Sequence, residues 1–211
     1  EEWECLPQTE YPSGTKVKIT VSRDGAVIPF DIVRDKIPVH CVDAACMVDD
    51  TTGYILQTGF TENVSADVKA RFLDLKKQGM KRLVLDLRGN GGGLMSEAVN
   101  IVSLFVPKGS LVVSSKGNTK ESYREYRTES EPVDSRIPII VMIDSGSASA
   151  SEIIAGALQD MDRATIMGKR SYGKGLVQSI RPTAYNGQIK VTTAKYYTPS
   201  GRCVQAIDYS N

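Results

Sequence analysis

The chain has 211 residues, of which 41% are hydrophobic and 24% charged, as is usual for a globular protein with a core of ordinary size. Its 26 basic and 25 acidic residues are spread along the sequence and leave a formal net charge of +1. This balance argues against a nucleic-acid or membrane-surface partner. No apolar run approaches the roughly 18–20 residues that a membrane-spanning helix needs.

Four cysteines are too few for a disulfide scaffold: Cys5, Cys41, Cys46 and Cys203. Cys41 and Cys46 resemble half of a metal site together with His40. The other half is missing, because His40 is the only histidine and no second close pair of cysteines exists. Free structural thiols are therefore favoured over one disulfide, and a disulfide over a metal site.

The first segment predicts a hairpin that follows a polar tail or junction at residues 1–13. Thr15–Val21 alternates polar and apolar residues, as a half-buried strand does. Arg23–Gly25 is typical of a hairpin turn, and Val27–Val33 follows as the partner strand, with Pro29 suited to an edge. Two strands cannot bury a core alone, so this hairpin is expected to pack against further structure.

The next segment predicts a strand, a helix and a second strand. Residues 53–60 are extended, and Asn63 or Ser65 can cap a helix that Gly79 ends. Residues 82–87 form an almost continuous apolar strand, as in a sheet that is covered on both faces. The apolar residues at helical spacing, which we expect to be buried, are Val64, Val68, Phe72 and Leu75.

Strands and helices continue to alternate in the rest of the chain, which predicts an α/β fold. A helix is expected near residues 96–105, and a charged stretch at 115–136 is interpreted as an exposed excursion. The later elements are strand 137–143, helix 151–159, and strands 165–167, 176–180 and 188–197. The last two strands are expected to pair across the turn Tyr185–Gly187, where Asn-Gly is a strong turn signal.

A glycine-rich loop, Asp86–Gly93, joins a predicted buried strand to a helix. Three consecutive glycines are entropically costly, so the loop is expected to need bare amides or positive φ angles. Such amides ahead of a helix suit an anion or a developing oxyanion. A nucleotide loop fits less well, because there is no Gly-Lys-Ser/Thr ending and Leu94 stands where a dinucleotide motif has its third glycine. A tight turn for packing remains an alternative.

Ser149 lies in a run of small residues, Ser145–Glu152, at the start of a predicted helix. A serine there lies beside free amides, which suits a nucleophile, although most serines at this position are only helix caps. Its base would be the lone His40 or a lysine, since burial can lower the pKa of an amine. Lys174, in Ser171–Gln178, is the candidate lysine, and a solvated lysine or a phosphate contact is the alternative. Spacing alone does not choose among these.

Four segments in this order resemble the carboxyl-terminal processing peptidases, also called tail-specific proteases. The first three are DLRGNGGG at residues 86–93, SASASEI at 147–153 and YGKGLVQ at 172–178. The fourth is AKYYTPSGR at residues 194–202, which matches a downstream strand and turn. The resemblance covers about residues 14 to 211. Any one of these motifs is weak evidence, whereas four in order are specific.

The resemblance implies a role for each matching site residue. Ser149 would be the nucleophile, Lys174 the general base, and Gln178 would orient the lysine amine. The amides of Gly93 and Ala150 would form the oxyanion hole. Asp160 matches an acidic position that supports the site, although a carboxylate at a helix end is more often a local cap or salt-bridge partner.

The same resemblance implies a spiral of β-β-α units, as in crotonases and Clp proteases. Residues 14–36 would be the last hairpin of a PDZ-like domain, and 37–211 a catalytic core that stops before the family's closing segment. The carboxylate-binding loop of the PDZ-like domain is absent from this chain, so capture of substrate C-termini by that domain is in doubt.

The implied function is that of a serine endopeptidase which cleaves proteins near their C-termini in the bacterial periplasm or cell envelope. Its partner would be a protein or peptide substrate, bound through its C-terminal region, and no metal or organic cofactor is implied. Two alternatives exist on related folds. One is a retinoid- or lipid-binding protein without catalysis, and the other is an enzyme acting on acyl thioesters, which would not require the Ser149–Lys174 pair.

Overall fold

The computed structural model describes residues 12–35, 40–119, 122–185 and 187–206. The chain divides into two compact units between Val39 and His40. Among the described residues, no helix is long and apolar enough to cross a membrane.

The first unit contains an antiparallel hairpin of β1 (Lys16–Arg23) and β2 (Ala26–Val33). Asp24 and Gly25 connect the strands with φ angles of 51° and 79°, the left-handed pair that a tight hairpin turn requires. The predicted strands and turn are therefore present. One face is apolar across three cross-strand pairs, which are Val17 with Ile32, Ile19 with Phe30, and Val21 with Ile28.

The second unit contains a five-stranded sheet with the order β3-β4-β5-β8-β9. Its strands are β3 (Val42–Met47), β4 (Thr52–Gln57), β5 (Arg82–Asp86), β8 (Ile139–Ile143) and β9 (Thr165–Gly168). β3 is antiparallel to β4, and the other neighbours are parallel. Parallel strands with helical crossovers confirm the predicted α/β class.

A second sheet is antiparallel, with the order β10-β11-β6-β7. Its strands are β6 (Leu111–Lys116), β7 (Arg124–Arg127), β10 (Leu176–Pro182) and β11 (Gln188–Tyr197). β10 and β11 form the predicted hairpin, although Asn186 of its turn lies outside the described residues. The contact of β6 with β11 joins strands that are far apart in the chain.

Three helices form a row in which each packs on the next: α1 (Val64–Lys77), α2 (Met95–Ser103) and α3 (Ala150–Asp160). The four apolar residues predicted for the first helix are all buried on α1. Phe72 of α1 meets Phe105 edge-to-face, with ring centroids 5.4 Å apart. Asn63 begins α1 without a side-chain cap, and Glu97 of α2 supplies the acceptor instead, 2.8 Å from the Ser65 amide nitrogen.

Asp134 fixes the chain just before β8. Its carboxylate accepts hydrogen bonds from the amides of Arg136 and Ile137, both at 2.9 Å, and from the Lys76 amine at 2.8 Å. Burial raises the pKa of this carboxyl group, but the bonds from Lys76 and the two amides outweigh burial and lower the pKa to about 2.

Three regions differ from the sequence-based expectations. The stretch expected as an exposed excursion at residues 115–136 contains β7 and the end of β6, and part of it is buried. Strand β3 was not predicted, because its sequence VDAACM lacks β-branched residues after the first position. The second helix ends at Ser103, two residues earlier than expected.

The described cysteines are all free. Cys41 is buried, whereas Cys46 and Cys203 are exposed, and Cys5 lies outside the described residues. Within the described ranges, no group of three or more His, Cys, Asp or Glu side chains is placed to hold a metal ion. His40 is exposed.

Candidate active site

The glycine-rich loop and the predicted serine turn leave the same edge of the five-stranded sheet. The loop, residues 87–94, follows β5, and the serine turn, residues 144–149, follows β8. β5 and β8 are parallel neighbours, with Leu85 opposite Val141, so both segments emerge at their carboxyl ends. This is the edge at which α/β sheets bind ligands.

The glycine loop is anchored at its start by the buried carboxylate of Asp86. It accepts hydrogen bonds from the Tyr54 hydroxyl at 2.7 Å and from two nitrogens of the Arg88 guanidinium. Burial raises the pKa of Asp86, but these bonds outweigh it and lower the pKa below its ordinary value. Burial and the bond to Asp86 both raise the pKa of Tyr54. The anchor fixes the direction in which the loop leaves β5.

Asn90 and Asp144 tie the glycine loop to the serine turn. The Asn90 side chain donates to the Gln57 carbonyl oxygen at 2.8 Å and accepts from the Gly92 amide at 2.9 Å. The Asn90 carbonyl oxygen accepts from the Ala148 amide at 3.0 Å. Asp144 accepts from the Gly89 amide at 2.9 Å. The two segments are therefore one hydrogen-bonded structure.

Ser149 begins α3 in a backbone conformation that is rare for a residue with a side chain, with φ 56° and ψ −112°. It lies where the serine turn, which follows β8, meets α3, and the residue is half-buried. Gly92 packs directly on it, because a Cβ at Gly92 would lie 2.8 Å from the Ser149 Cβ. Strained residues of this kind cluster at functional sites.

Two amides beside Ser149 are free to bind an anion. Within the part of the chain that the structure describes, neither the Gly93 nor the Ala150 N–H donates a hydrogen bond. Ala150 is the first residue of α3, where backbone N–H groups have no partner inside the helix and the helix dipole is positive. The arrangement can stabilise negative charge on an oxygen held between the two amides.

The predicted lysine lies in a turn, Gly173–Gly175, which we call the lysine turn. The buried carboxylate of Glu152 on α3 accepts hydrogen bonds from the Gly173 amide at 2.6 Å and the Lys174 amide at 2.8 Å. The same carboxylate accepts from the Ser149 amide at 2.8 Å. Glu152 therefore sets the distance between the backbones of Ser149 and Lys174.

The side chains of the predicted dyad are brought to one region but are not joined. In the described ranges, no hydrogen bond links the side chains of Ser149, Lys174 and Gln178. Lys174 and Gln178 are exposed. Gln178 lies at a register shift between Val177 and Gln178 in the β10–β11 pairing, a feature that often redirects a side chain near an active site. In enzymes without substrate, catalytic hydrogen bonds are often long or absent.

Asp160 lies at the opposite end of α3 from Ser149. Its carboxylate accepts hydrogen bonds from the Ser200 amide at 2.9 Å and from the Arg202 guanidinium. These contacts hold the turn that follows β11. A role of Asp160 in supporting the site remains a prediction.

Sequence reasoning missed the positions that join the site together: Glu152, Asn90 and Asp144. The signal for Glu152 was available, because Ser149-Ala150-Ser151-Glu152 has the Ser-x-x-Glu spacing in which a glutamate reaches back to the amide at the start of a helix. For Asn90 and Asp144, the bonds that join the two segments left no signal in the sequence, because the partners in those bonds are distant along the chain.

Comparisons with known proteins show what the chain as a whole is similar to. The model of peptidase family S41 matches residues 51–209. A carboxy-terminal-processing protease of Bartonella bacilliformis is 42% identical over 97% of this chain and 48% of its own length. A carboxyl-terminal-processing protease of Synechocystis is 35% identical over 93% of this chain and 46% of its own length.

Among solved structures, a photosystem II D1 C-terminal processing protease superposes with a TM-score of 0.70 at 31% identity, over 91% of this chain and 53% of that protein. The chain thus spans about half the length of the curated relatives it matches. Because the family model covers most of the residues and all segments of the candidate site, the chain belongs to peptidase family S41.

Proposed function

We propose that this chain carries the chemistry of a serine endopeptidase, with Ser149 as nucleophile and Lys174 as general base. The observation that carries the proposal is the strained turn at Ser149, with the free amides of Gly93 and Ala150 beside it. A serine that is only a helix cap has no need of this backbone conformation or of a second free amide from another loop.

In the proposed mechanism, Lys174 takes the proton of the Ser149 hydroxyl while the oxygen bonds to the scissile carbonyl carbon. The carbonyl oxygen becomes an oxyanion held by the amides of Gly93 and Ala150, and one such donor contributes about 3–4 kcal/mol to lowering the barrier. The C–N bond then breaks, and the lysine ammonium gives its proton to the leaving amine. Water repeats the sequence to release the acid. Gln178 would orient the lysine amine.

The proposed substrate is a protein cleaved near its C-terminus, as the names of the relatives describe for those proteins. An extended substrate can add to the site as a strand and bind through backbone hydrogen bonds. We place the activity in the bacterial periplasm or cell envelope, following the resemblance.

We also propose that residues 14–36 belong to a PDZ-like domain, ahead of a catalytic core at 37–211. The apolar face of the β1–β2 hairpin supports this proposal. Ile19, Phe30 and Ile32 on that face are 42%, 46% and 44% exposed. Two strands alone do not form a stable core, so an apolar face of this kind is expected to pack on further structure of a domain.

The test is covalent labelling of the chain with a fluorophosphonate, followed by hydrolysis of an unstructured protein with an apolar C-terminus. Labelling reports an activated serine and does not depend on substrate capture by another domain. We expect Ser149→Ala to abolish both readouts, and Lys174→Ala to reduce them at least 100-fold. Ser145→Ala and Lys169→Ala, which change exposed residues near the same two turns, are the matched controls.

Wild-type rates in the Ser149→Ala and Lys174→Ala variants would refute the mechanism. An unlabelled wild type that binds a retinoid or another lipid would favour the non-catalytic binding protein instead. Hydrolysis of an acyl thioester that survives Lys174→Ala would favour the thioester enzyme.

A further inference from the structure

Gln205 lies next to the lysine turn, in the segment that follows β11. Its side-chain oxygen Oε1 accepts a hydrogen bond from the Gly175 amide at 3.0 Å. Its nitrogen Nε2 donates to the Ala206 carbonyl oxygen at 3.0 Å, which fixes the orientation of the side-chain amide. Gln205 is half-buried, so this acceptor is partly shielded from water.

The backbone of the same segment, and that of β11 before it, also hold the lysine turn. The Ala206 amide donates to the Gly173 carbonyl oxygen at 2.9 Å, and the Tyr196 amide donates to the Gly175 carbonyl oxygen at 2.8 Å. The approach is so close that only glycine fits on either side of Lys174. A Cβ at Gly175 would overlap the Gln205 amide nitrogen, and a Cβ at Gly173, where φ is 87°, would overlap Ala206.

Glu152 on α3 and Gln205 after β11 therefore accept hydrogen bonds from three successive backbone amides of the lysine turn. Glu152 takes those of Gly173 and Lys174, and Gln205 takes that of Gly175. No side-chain hydrogen bond of Lys174 itself is found in the described ranges. The direction in which the lysine leaves the turn is thus set by its backbone, and the backbone is set by these two acceptors.

We propose that Gln205 is a positioning residue for Lys174, acting through the Gly175 amide, which follows the two amides that Glu152 binds. The inference rests on the proposed role of Lys174 as general base. A displacement of about 1 Å in a catalytic group can cost about 100-fold in rate. Loss of the Gln205 acceptor therefore lowers turnover without removing any group that contacts the substrate.

The test compares Gln205→Leu, which removes the acceptor at similar volume, with Gln205→Glu, which keeps an acceptor oxygen. Gln159→Ala is the matched control, because Gln159 accepts from Arg202 in the same segment and does not contact the lysine turn. The readouts are kcat and KM, the rate of fluorophosphonate labelling, the thermal midpoint, and hydrogen exchange at the Gly175 amide.

For Gln205→Leu we expect kcat and the labelling rate to fall about 30-fold together, with KM within about threefold of wild type. Exchange at the Gly175 amide is expected to accelerate while the thermal midpoint changes little. Gln205→Glu is expected to restore kcat to within about fivefold of wild type, and Gln159→Ala to leave every readout unchanged. Parallel changes in all three variants would indicate general loosening of the segment and overturn the proposal.

Full activity of Gln205→Leu, or equal losses of activity for Gln205→Leu and Gln205→Glu, would also overturn the positioning role. Failure of the proposed function has a different signature, since Ser149→Ala and Lys174→Ala would then keep wild-type rates or the wild type would not be labelled. If those two variants are inactive and Gln205→Leu is unaffected, the inference on Gln205 fails and the proposed function stands.

Discussion

Replacement of Ser149 by glycine should make the protein more stable while abolishing its activity. The backbone of Ser149 is held at φ 56° and ψ −112°, a conformation that costs about 1–3 kcal/mol for a residue with a Cβ. Glycine adopts positive φ freely but loses about 0.5–1 kcal/mol more backbone entropy on folding. At the start of a helix, glycine costs only a few tenths of a kcal/mol relative to serine. The expected net gain is about 1 kcal/mol.

Ser149→Ala is the matched control, because it removes the same hydroxyl and keeps the Cβ. Alanine retains the strain and loses about 1 kcal/mol at a helix N-cap, so the glycine variant should exceed the alanine variant by about 2 kcal/mol. In a chain of this size that difference corresponds to roughly 4–8 °C in thermal midpoint. Urea unfolding followed by circular dichroism, together with thermal melts, measures both quantities. Equal stability of the two variants would refute the idea that strain is stored at Ser149.

Two further predictions follow from the contacts around the site. Gly92→Ala should lower kcat/KM at least 100-fold, because the new Cβ would lie 2.7–3.0 Å from atoms of Ala148, Ser149 and Ala150. A Cβ at Gly91 meets nothing within 4 Å, so Gly91→Ala should keep kcat/KM within about threefold of wild type. Equal effects of the two variants on kcat/KM would contradict this reasoning. Asp134→Asn should lower the free energy of unfolding by about 1 kcal/mol at pH 7, through loss of the charge-assisted bond to Lys76. Because the folded pKa of Asp134 is depressed to about 2, its stabilisation is present above the unfolded pKa of about 4 and is lost as pH falls toward 2. Urea unfolding between pH 7 and pH 2.5 should show the difference between the two proteins shrink, and a difference of unchanged size at pH 2.5 would contradict the assignment.

The parts of the fold that depend on local periodicity were predictable from the sequence. The buried residues of α1 are those expected from helical spacing, and the β1–β2 hairpin follows from its turn residues. The pairing of β6 with β11 was not predictable, because it depends on contacts between distant segments and because Ser114 and Ser115 of β6 are buried despite their polarity. Strand β3 has weak local propensity and exists by pairing with β4.

The candidate site also contains residues that the sequence predicts and residues that it does not. Ser149, Lys174 and the glycine loop stand out as motifs, so their identity could be predicted. Glu152 and Gln205 act through backbone amides of a turn that is distant in sequence, and such partners are fixed only by the tertiary structure. Residues that carry the chemistry are thus easier to find in a sequence than residues that hold them in place.

The division of the site between two sheets has a consequence for how the protein folds. The serine turn and the glycine loop belong to the five-stranded sheet and its crossover helices. They meet when β5 pairs with β8, and these two strands lie closer to each other in the chain than β6 and β11 do. The lysine turn is completed only when β11 pairs with β6 and the segment after β11 docks, which requires closure of a long chain loop. We therefore expect the nucleophile to be assembled before its base. If the proposed function is right, a chain that is still being synthesised would then lack the proposed Ser149–Lys174 pair and be unable to cleave itself or its neighbours.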